Sequence, residues 1–239
     1  VQNKKPLTKT EEKRLSSSIR IIAKSSLIFL FGLIFAKLAS YAYRFIIARF
    51  YGVEAYGLFS LAIMIAGWFM SLSAFGLNEG VVRYLSLYRE KDVEKARYIF
   101  RFSTKFLIFT SLISASILFF GARIIAVDIF HNESLVIFLR SFSIIVPFLV
   151  IAHPFFGAMR AFEKASAYSL IFNVLQNAVK LLVLILFLVL IGSSNNGIIL
   201  SHVLGMATLL IGSYIFCRWK LSSIFIKSSL SSTQKIPLR

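Results

Sequence analysis

Lys37 and Arg44 stand inside an otherwise apolar stretch, residues 25–50, which reads SSLIFLFGLIFAKLASYAYRFIIARF. On an α-helix, residues seven apart point within ~20° of each other and stand ~10 Å apart along the axis. Lys37, Tyr41 and Arg44 therefore share one face. In a second apolar stretch, Asn173, Gln176, Asn177 and Lys180 fall at i, i+3, i+4 and i+7, one stripe of a helix made otherwise of Leu, Val, Ile and Phe. Arg140 lies near the start of a third stretch. No Asp or Glu lies inside these stretches; the nearest acids, Glu54, Glu79, Asp128 and Glu133, sit at their ends or in loops. A charge at the centre of a bilayer costs roughly 2.5–3.5 kcal/mol even on the gentlest insertion scale. A face that keeps such charges is expected to look into a bundle or a wet cavity, away from lipid. Fixed positive charge in a low-dielectric wall focuses its field and favours an anion, and phosphate is the obvious membrane-associated one. A lipid-linked pyrophosphate would slide its acidic group through the bundle while its tail stays in lipid. The amides of the stripe would then meet hydroxyl-rich sugar.

Blander readings stand beside this one. Arg44 and Arg140 lie toward the outer side, where long side chains snorkel to the head groups, whereas Lys37 and Lys180 lie too deep to do so easily. The Asn/Gln stripe also suits interhelical hydrogen bonds, each worth ~0.6–2 kcal/mol. His153, next to Pro154, reads as a packed or capping residue rather than a proton relay.

The elements that must position these residues are membrane spans. Of 239 residues, 58% are hydrophobic and 15% charged, and the mean hydropathy is +0.80. A soluble domain is nearer half apolar and a quarter charged. The apolar residues come in blocks long enough to cross a bilayer, which takes ~20 residues. The fold class expected is all-α, a polytopic bundle of six transmembrane helices. The spans are expected at about 19 or 25–50, 56–77, 99–121, 134–157, 167–191 and 198–217, with a basic surface helix at 78–98. Gly32, Ala36 and Ser40 form a small-residue row that permits close helix approach. The many small residues of the second span suggest packing on several sides, and Pro147 and Pro154 should bend the fourth. Three parts follow: a basic tail at 1–18, the transmembrane lobe at 19–218, and a Ser-rich basic linker or tail at 219–239.

The net charge of +17 would suggest nucleic acid in a soluble chain. Here the basic residues cluster at span ends, where they set orientation and contact anionic lipid heads, so no nucleic-acid partner is expected. Twenty-one of the 27 Lys and Arg fall in the segments on one side and only two, Arg49 and Arg123, on the other. That bias puts both termini in the cytoplasm of a multi-pass cell-membrane protein. Cys217 is the single cysteine, which rules out an internal disulfide. Neither a metal site of the usual Cys/His spacing nor a cofactor is expected. No paired-carboxylate or Ser/His/Asp constellation lies at membrane depth, so an enzyme is not expected.

Three local patterns then add a resemblance: Arg49-Phe50-Tyr51-Gly52-Val53-Glu54-Ala55-Tyr56-Gly57 after the first span, Gly76-Leu77-Asn78-Glu79-Gly80-Val81-Val82-Arg83-Tyr84 after the second, and Gly157 with Arg160 after the fourth. The chain resembles the polysaccharide-biosynthesis (O-antigen type) flippases of the multidrug/oligosaccharidyl-lipid/polysaccharide exporter superfamily. The resemblance implies translocation of a polyprenyl- or dolichyl-pyrophosphate-linked oligosaccharide from inner to outer leaflet, by alternating access between two six-helix lobes. Members of that family usually have twelve to fourteen spans. The six here imply the N-terminal lobe, with a second lobe in cis or trans. The Arg-Phe-Tyr-Gly pattern reads as a tight turn, with Gly52 and Gly57 freeing the backbone and Arg49, Tyr51 and Tyr56 anchoring at head-group depth. Two alternatives differ in kind: a cation-coupled multidrug exporter, which should keep a membrane-embedded carboxylate, and a non-transporting partner lobe.

Overall fold

The computed structural model describes residues 9–89 and 91–221, with side chains at 23, 26–89 and 91–221. The described residues form helices joined by short turns. The expected tail up to residue 8 and the linker beyond 221 lie outside them. Among the described residues, six helical spans are long and apolar enough to cross a membrane: Ser26–Tyr51, Val53–Ala74, Val93–Ile129, Ser134–Ala161, Ala165–Leu190 and Asn195–Lys220.

Helix α1 covers Lys9–Ile46 and passes into a π-helical turn, Ile47–Tyr51. It starts well before the apolar run, because no Gly or Pro separates Pro6 from Gly32 and the intervening Glu, Lys and Arg are good helix formers. Helix α2 is Val53–Ala74. Its buried residues, among them Ala55, Leu58, Phe59, Ala62, Ile65 and Ala66, lie on one face, while Val53, Met64, Trp68 and Leu72 are exposed. Its other sides meet the turn before it and three later helices of the bundle, so the expected packing on several sides holds except along that exposed strip.

Gly52 joins α1 to α2 at φ 94°, ψ 162°, a region essentially closed to residues with a Cβ. The turn depends on it, whereas Gly57 lies inside α2 with open space around it. Gly52→Ala should cost ~1–3 kcal/mol and lower the melting temperature of the detergent-purified protein; an unchanged melt would refute the strain argument.

Helix α3, Leu77–Tyr88, ends earlier than the surface helix expected at 78–98, and α4 runs Val93–Arg123 before a π-helical stretch, Ile124–Ile129. The division falls where it does because the Asp92 side chain accepts a hydrogen bond from the Lys95 backbone N–H at 2.9 Å, an N-cap that starts a new helix. Residues 93–98 thus belong to the third span.

The fourth span is two helices, α5 (Ser134–Ser143) and α6 (Ile145–Ala161). Pro147 has no N–H to offer the Ser143 carbonyl and its ring crowds that oxygen, so the chain breaks at Ile144. Pro154 lies within α6, which runs on past it. The fifth span comprises α7 (Ala165–Ser169), a π-helical turn (Leu170–Leu175) and α8 (Gln176–Leu190), and α9 covers Asn195–Lys220.

Two apolar cores stack along the bundle. One joins Tyr43, Ile47, Phe59, Phe138, Phe142, Leu184 and Ile198. The other joins α3 to the ends of α6 and α9 through Val81, Leu85, Phe155, Ala158 and Cys217. At that second end, which also holds the start of α1's apolar run, Phe29 stacks on Tyr168 with ring centroids 6.5 Å apart. The loop after α6 is tied to α3 there: Arg89 donates to the Ala161 carbonyl and to Glu163, each at 2.6 Å. The Arg89 guanidinium holds the Glu163 carboxyl below the usual carboxylate range. A depressed pKa adds stability above the ordinary Glu range, near ~4.3, which is lost as pH falls through the folded value. The pair is exposed, so the effect is small. Glu163→Gln should lower the melting temperature slightly at neutral pH and not at all in strong acid; a difference that grows on acidification would reverse the sign.

Candidate functional site

Lys180 is the only lysine or arginine of α8, and its surroundings are made by three helices. Gly205 of α9 lets the two backbones close up: a Cβ there would lie 3.1 Å from the Lys180 Cβ and 3.4 Å from the Gln176 carbonyl. From α1, Tyr43 presents its ring, 4.8 Å from the Lys180 Nζ, a cation–π contact worth ~2 kcal/mol or more away from water. The Tyr43 and Ser201 hydroxyls are 2.8 Å apart, and both reach the Ile198 carbonyl, at 3.2 and 3.0 Å. His202 stacks on Phe142 at 5.3 Å and meets the edge of Phe59 at 5.5 Å. Lys180 is 7% exposed and His202 6%. Among the described residues no carboxylate pairs with Lys180. Arg44 acts on it from α1 as a like charge.

The amide stripe is buried and largely satisfied along its own helix. Asn173 donates to Ser169 Oγ at 3.1 Å, Asn177 to the Asn173 carbonyl at 2.9 Å, and Gln176 to Met206 Sδ at 3.4 Å. Ser169 carries the chain on to the Phe29 carbonyl of α1 at 3.4 Å. Gly32 makes that crossing possible, since a Cβ there would strike Ser169 Oγ and come 3.5 Å from the Asn173 Cβ. Gly32 of the expected small-residue row thus has definite partners, Ser169 at the end of α7 and Asn173 in the π-helical turn before α8.

The eight residues singled out from the sequence occupy three places. Asn173, Gln176, Asn177 and Lys180 lie inside the bundle. Lys37, Tyr41 and Arg44 share one face of α1, as their spacing requires, but that face is exposed, Tyr41 to 75%. Arg140 stands apart near the start of the fourth span, its guanidinium 5.6 Å from the Phe119 ring centroid, in a cleft with Arg123 and Glu133. Among the described residues the eight do not line one enclosed cavity. Tyr43, Ser201 and His202 complete the Lys180 site and were missed from the sequence. Their one signal was the polar pair Ser201-His202 one turn before Gly205 in an apolar span.

The motifs also find their partners. Tyr51 packs at the start of α9, where a Cβ on Gly197 would lie 2.9 Å from its hydroxyl. The second and third motifs form one unit. Arg160 donates to Glu79 at 3.2 Å, and a Cβ on Gly157 would lie 2.8 Å from Val81 Cγ1, so α3 rests directly on α6. The family model described as "Polysaccharide biosynthesis protein" matches residues 22–237. No curated protein and no solved structure matches the chain.

Proposed function

The chain belongs to the polysaccharide biosynthesis protein family, and from that premise we propose that it moves a lipid-linked oligosaccharide from the inner to the outer leaflet by alternating access. The observation that carries this reading is a group of cations without a counter-charge. Lys37 and Arg44 stand exposed on one face of α1, and Lys180 is buried behind it with no carboxylate among the described residues. Such a wall attracts an anion, and a pyrophosphate joined to a polyprenyl or dolichyl tail supplies one at membrane depth. The tail remains in lipid while the acidic group follows the α1 face. A second six-helix lobe, in cis or trans, closes over that face and shields its charges from acyl chains. The 21-to-two distribution of basic residues supports both termini in the cytoplasm of the cell membrane. The role is transport, with no bond made or broken.

Cells lacking the protein should lose the surface polysaccharide and accumulate its lipid-linked precursor facing the cytoplasm. The purified full protein should restore movement of that precursor across vesicles. Normal surface polysaccharide in the deletion strain would sink the reading.

A further inference from the structure

The seam between α4 and the fourth span is open along one face of each. On α4, Leu112, Ser116, Phe119 and Arg123 recur at intervals of three and four, and on the fourth span Pro147, Ile144 and Arg140 do the same. Toward the middle of the spans the seam is an apolar groove of about 370 Å³ between Phe119 and Phe120 on one side and Ile144 and Pro147 on the other. Where α4 passes into its π-helical stretch, it is a cleft of about 270 Å³ lined by Arg123, Val127, Glu133, Val136 and Arg140. Groove and cleft adjoin at Arg140. Its guanidinium lies 5.6 Å from the ring of Phe119, and its carbonyl accepts from the Ser143 hydroxyl of the groove at 2.6 Å.

Leu112 to Arg123 measures roughly 16 Å along a helix axis, close to half of the ~30 Å hydrocarbon core. An apolar groove one leaflet deep, with charges at its mouth, has the dimensions of a single phospholipid. The charges say which head. Arg123, Glu133 and Arg140 are all exposed, and among the described residues none of the three is paired with another charge. Guanidinium forks match phosphate oxygens two at a time, so two of them around one cleft suit a phosphodiester. Glu133 beside them calls for a cationic donor, which a primary ammonium supplies in a charge-assisted bond and a glycerol hydroxyl only in a weaker one. A choline head has no N–H to give. The same carboxylate repels a pyrophosphate. The seam is also separate from the cationic α1 face, since α1 packs on α7, α8 and the turn between them, whereas α4 packs on α2, α3, α5 and α6.

We infer that this seam binds one ethanolamine phospholipid of the outer leaflet. Its phosphate lies between Arg123 and Arg140, its ammonium meets Glu133, and one acyl chain runs past Phe119 toward Pro147. Only the choice of leaflet rests on the transport reading, which puts both termini in the cytoplasm and this end of α4 outside.

The test is lipid binding without transport. The purified full protein, stripped of lipid in detergent, is titrated with ethanolamine, glycerol and choline phospholipids of identical chains, and bound lipid is counted by native mass spectrometry. One ethanolamine phospholipid should bind saturably, about fivefold or more tighter than the other two. Arg123→Gln and Arg140→Gln should each weaken it roughly tenfold. Glu133→Gln should erase the preference for ethanolamine while a lipid still binds, an outcome that a merely structural role would not produce. Ser116→Phe, at an exposed position in the groove, should obstruct the chain and weaken all three lipids alike. Lys105→Gln, exposed and well outside the seam on α4, should change nothing. Melting temperatures are compared first, and Arg140→Lys, which keeps the charge but loses the fork, replaces an Arg140→Gln protein that fails to fold. Equal binding of the three heads, or a preference that survives Glu133→Gln, overturns the site. So does displacement of the lipid by an equal concentration of farnesyl pyrophosphate, which would assign the cleft to a pyrophosphate. If the precursor moves in vesicles but no head is preferred, the lipid site alone fails. If the ethanolamine lipid binds through these residues and no precursor moves, the transport reading alone fails.

Discussion

Lys180→Met is expected to stop polysaccharide export while leaving the protein at least as stable as before. The buried ammonium has no carboxylate partner among the described residues and rests on the Tyr43 ring. A buried charge without a counter-ion burdens the fold, and methionine fills a similar volume with a flexible apolar chain. On stability alone the substitution is neutral or favourable. On function it removes the charge that keeps the field behind the α1 face positive. A charge-assisted interaction is worth ~1.5–3 kcal/mol, so transport of the precursor in vesicles should fall roughly ten- to hundredfold. The two effects run in opposite directions, which separates a functional charge from a structural one. A melting temperature that drops together with transport would make Lys180 a packing residue. Transport that persists in a stable Lys180→Met protein would remove the cation group from the mechanism.

Gly32→Val is expected to have the largest effect on stability. The position faces Ser169 and Asn173 so closely that the first added carbon must displace the Ser169 hydroxyl, and a branched side chain cannot be absorbed by rotating one hydroxyl. Overpacking of this kind costs ~1–3 kcal/mol. It also pries α1 from the π-helical turn, breaking the Ser169–Phe29 hydrogen bond and drawing Tyr43 off Lys180. The control is Gly67→Ala in α2, which meets nothing within 4 Å. There the added methyl should be neutral or stabilising by ~0.5–1 kcal/mol, because glycine is the poorer helix residue. Detergent melts of the two variants should therefore separate clearly. Equal melts would mean that α1 does not lean on the fifth span as described.

Much of the architecture was legible because a bilayer makes a blunt demand on sequence. A span needs ~20 apolar residues with every backbone group satisfied internally, and six such blocks can be counted by eye. The ends of spans were less legible, because they depend on single residues acting on the local backbone. Asp92 caps α4 and moves its start to Val93, and Pro147 breaks the fourth span at Ile144. Small residues announced close approach at Gly32 correctly. At Gly57 and Gly67 they did not, since composition cannot say which face has a neighbour.

The sequence by itself determined the class, the number of spans, the charge asymmetry across the membrane and the fact that Lys37, Tyr41 and Arg44 share a face. Each follows from length, hydropathy or the fixed pitch of a helix, quantities local to one segment. Only the tertiary structure decided that this face is exposed while Lys180 is buried. It alone brought Tyr43, Ser201 and His202 around that lysine. Those outcomes depend on how each helix is rotated about its axis against its neighbours, which is set by the packing of residues as far apart as 43 and 201 and leaves no periodic trace in either segment alone.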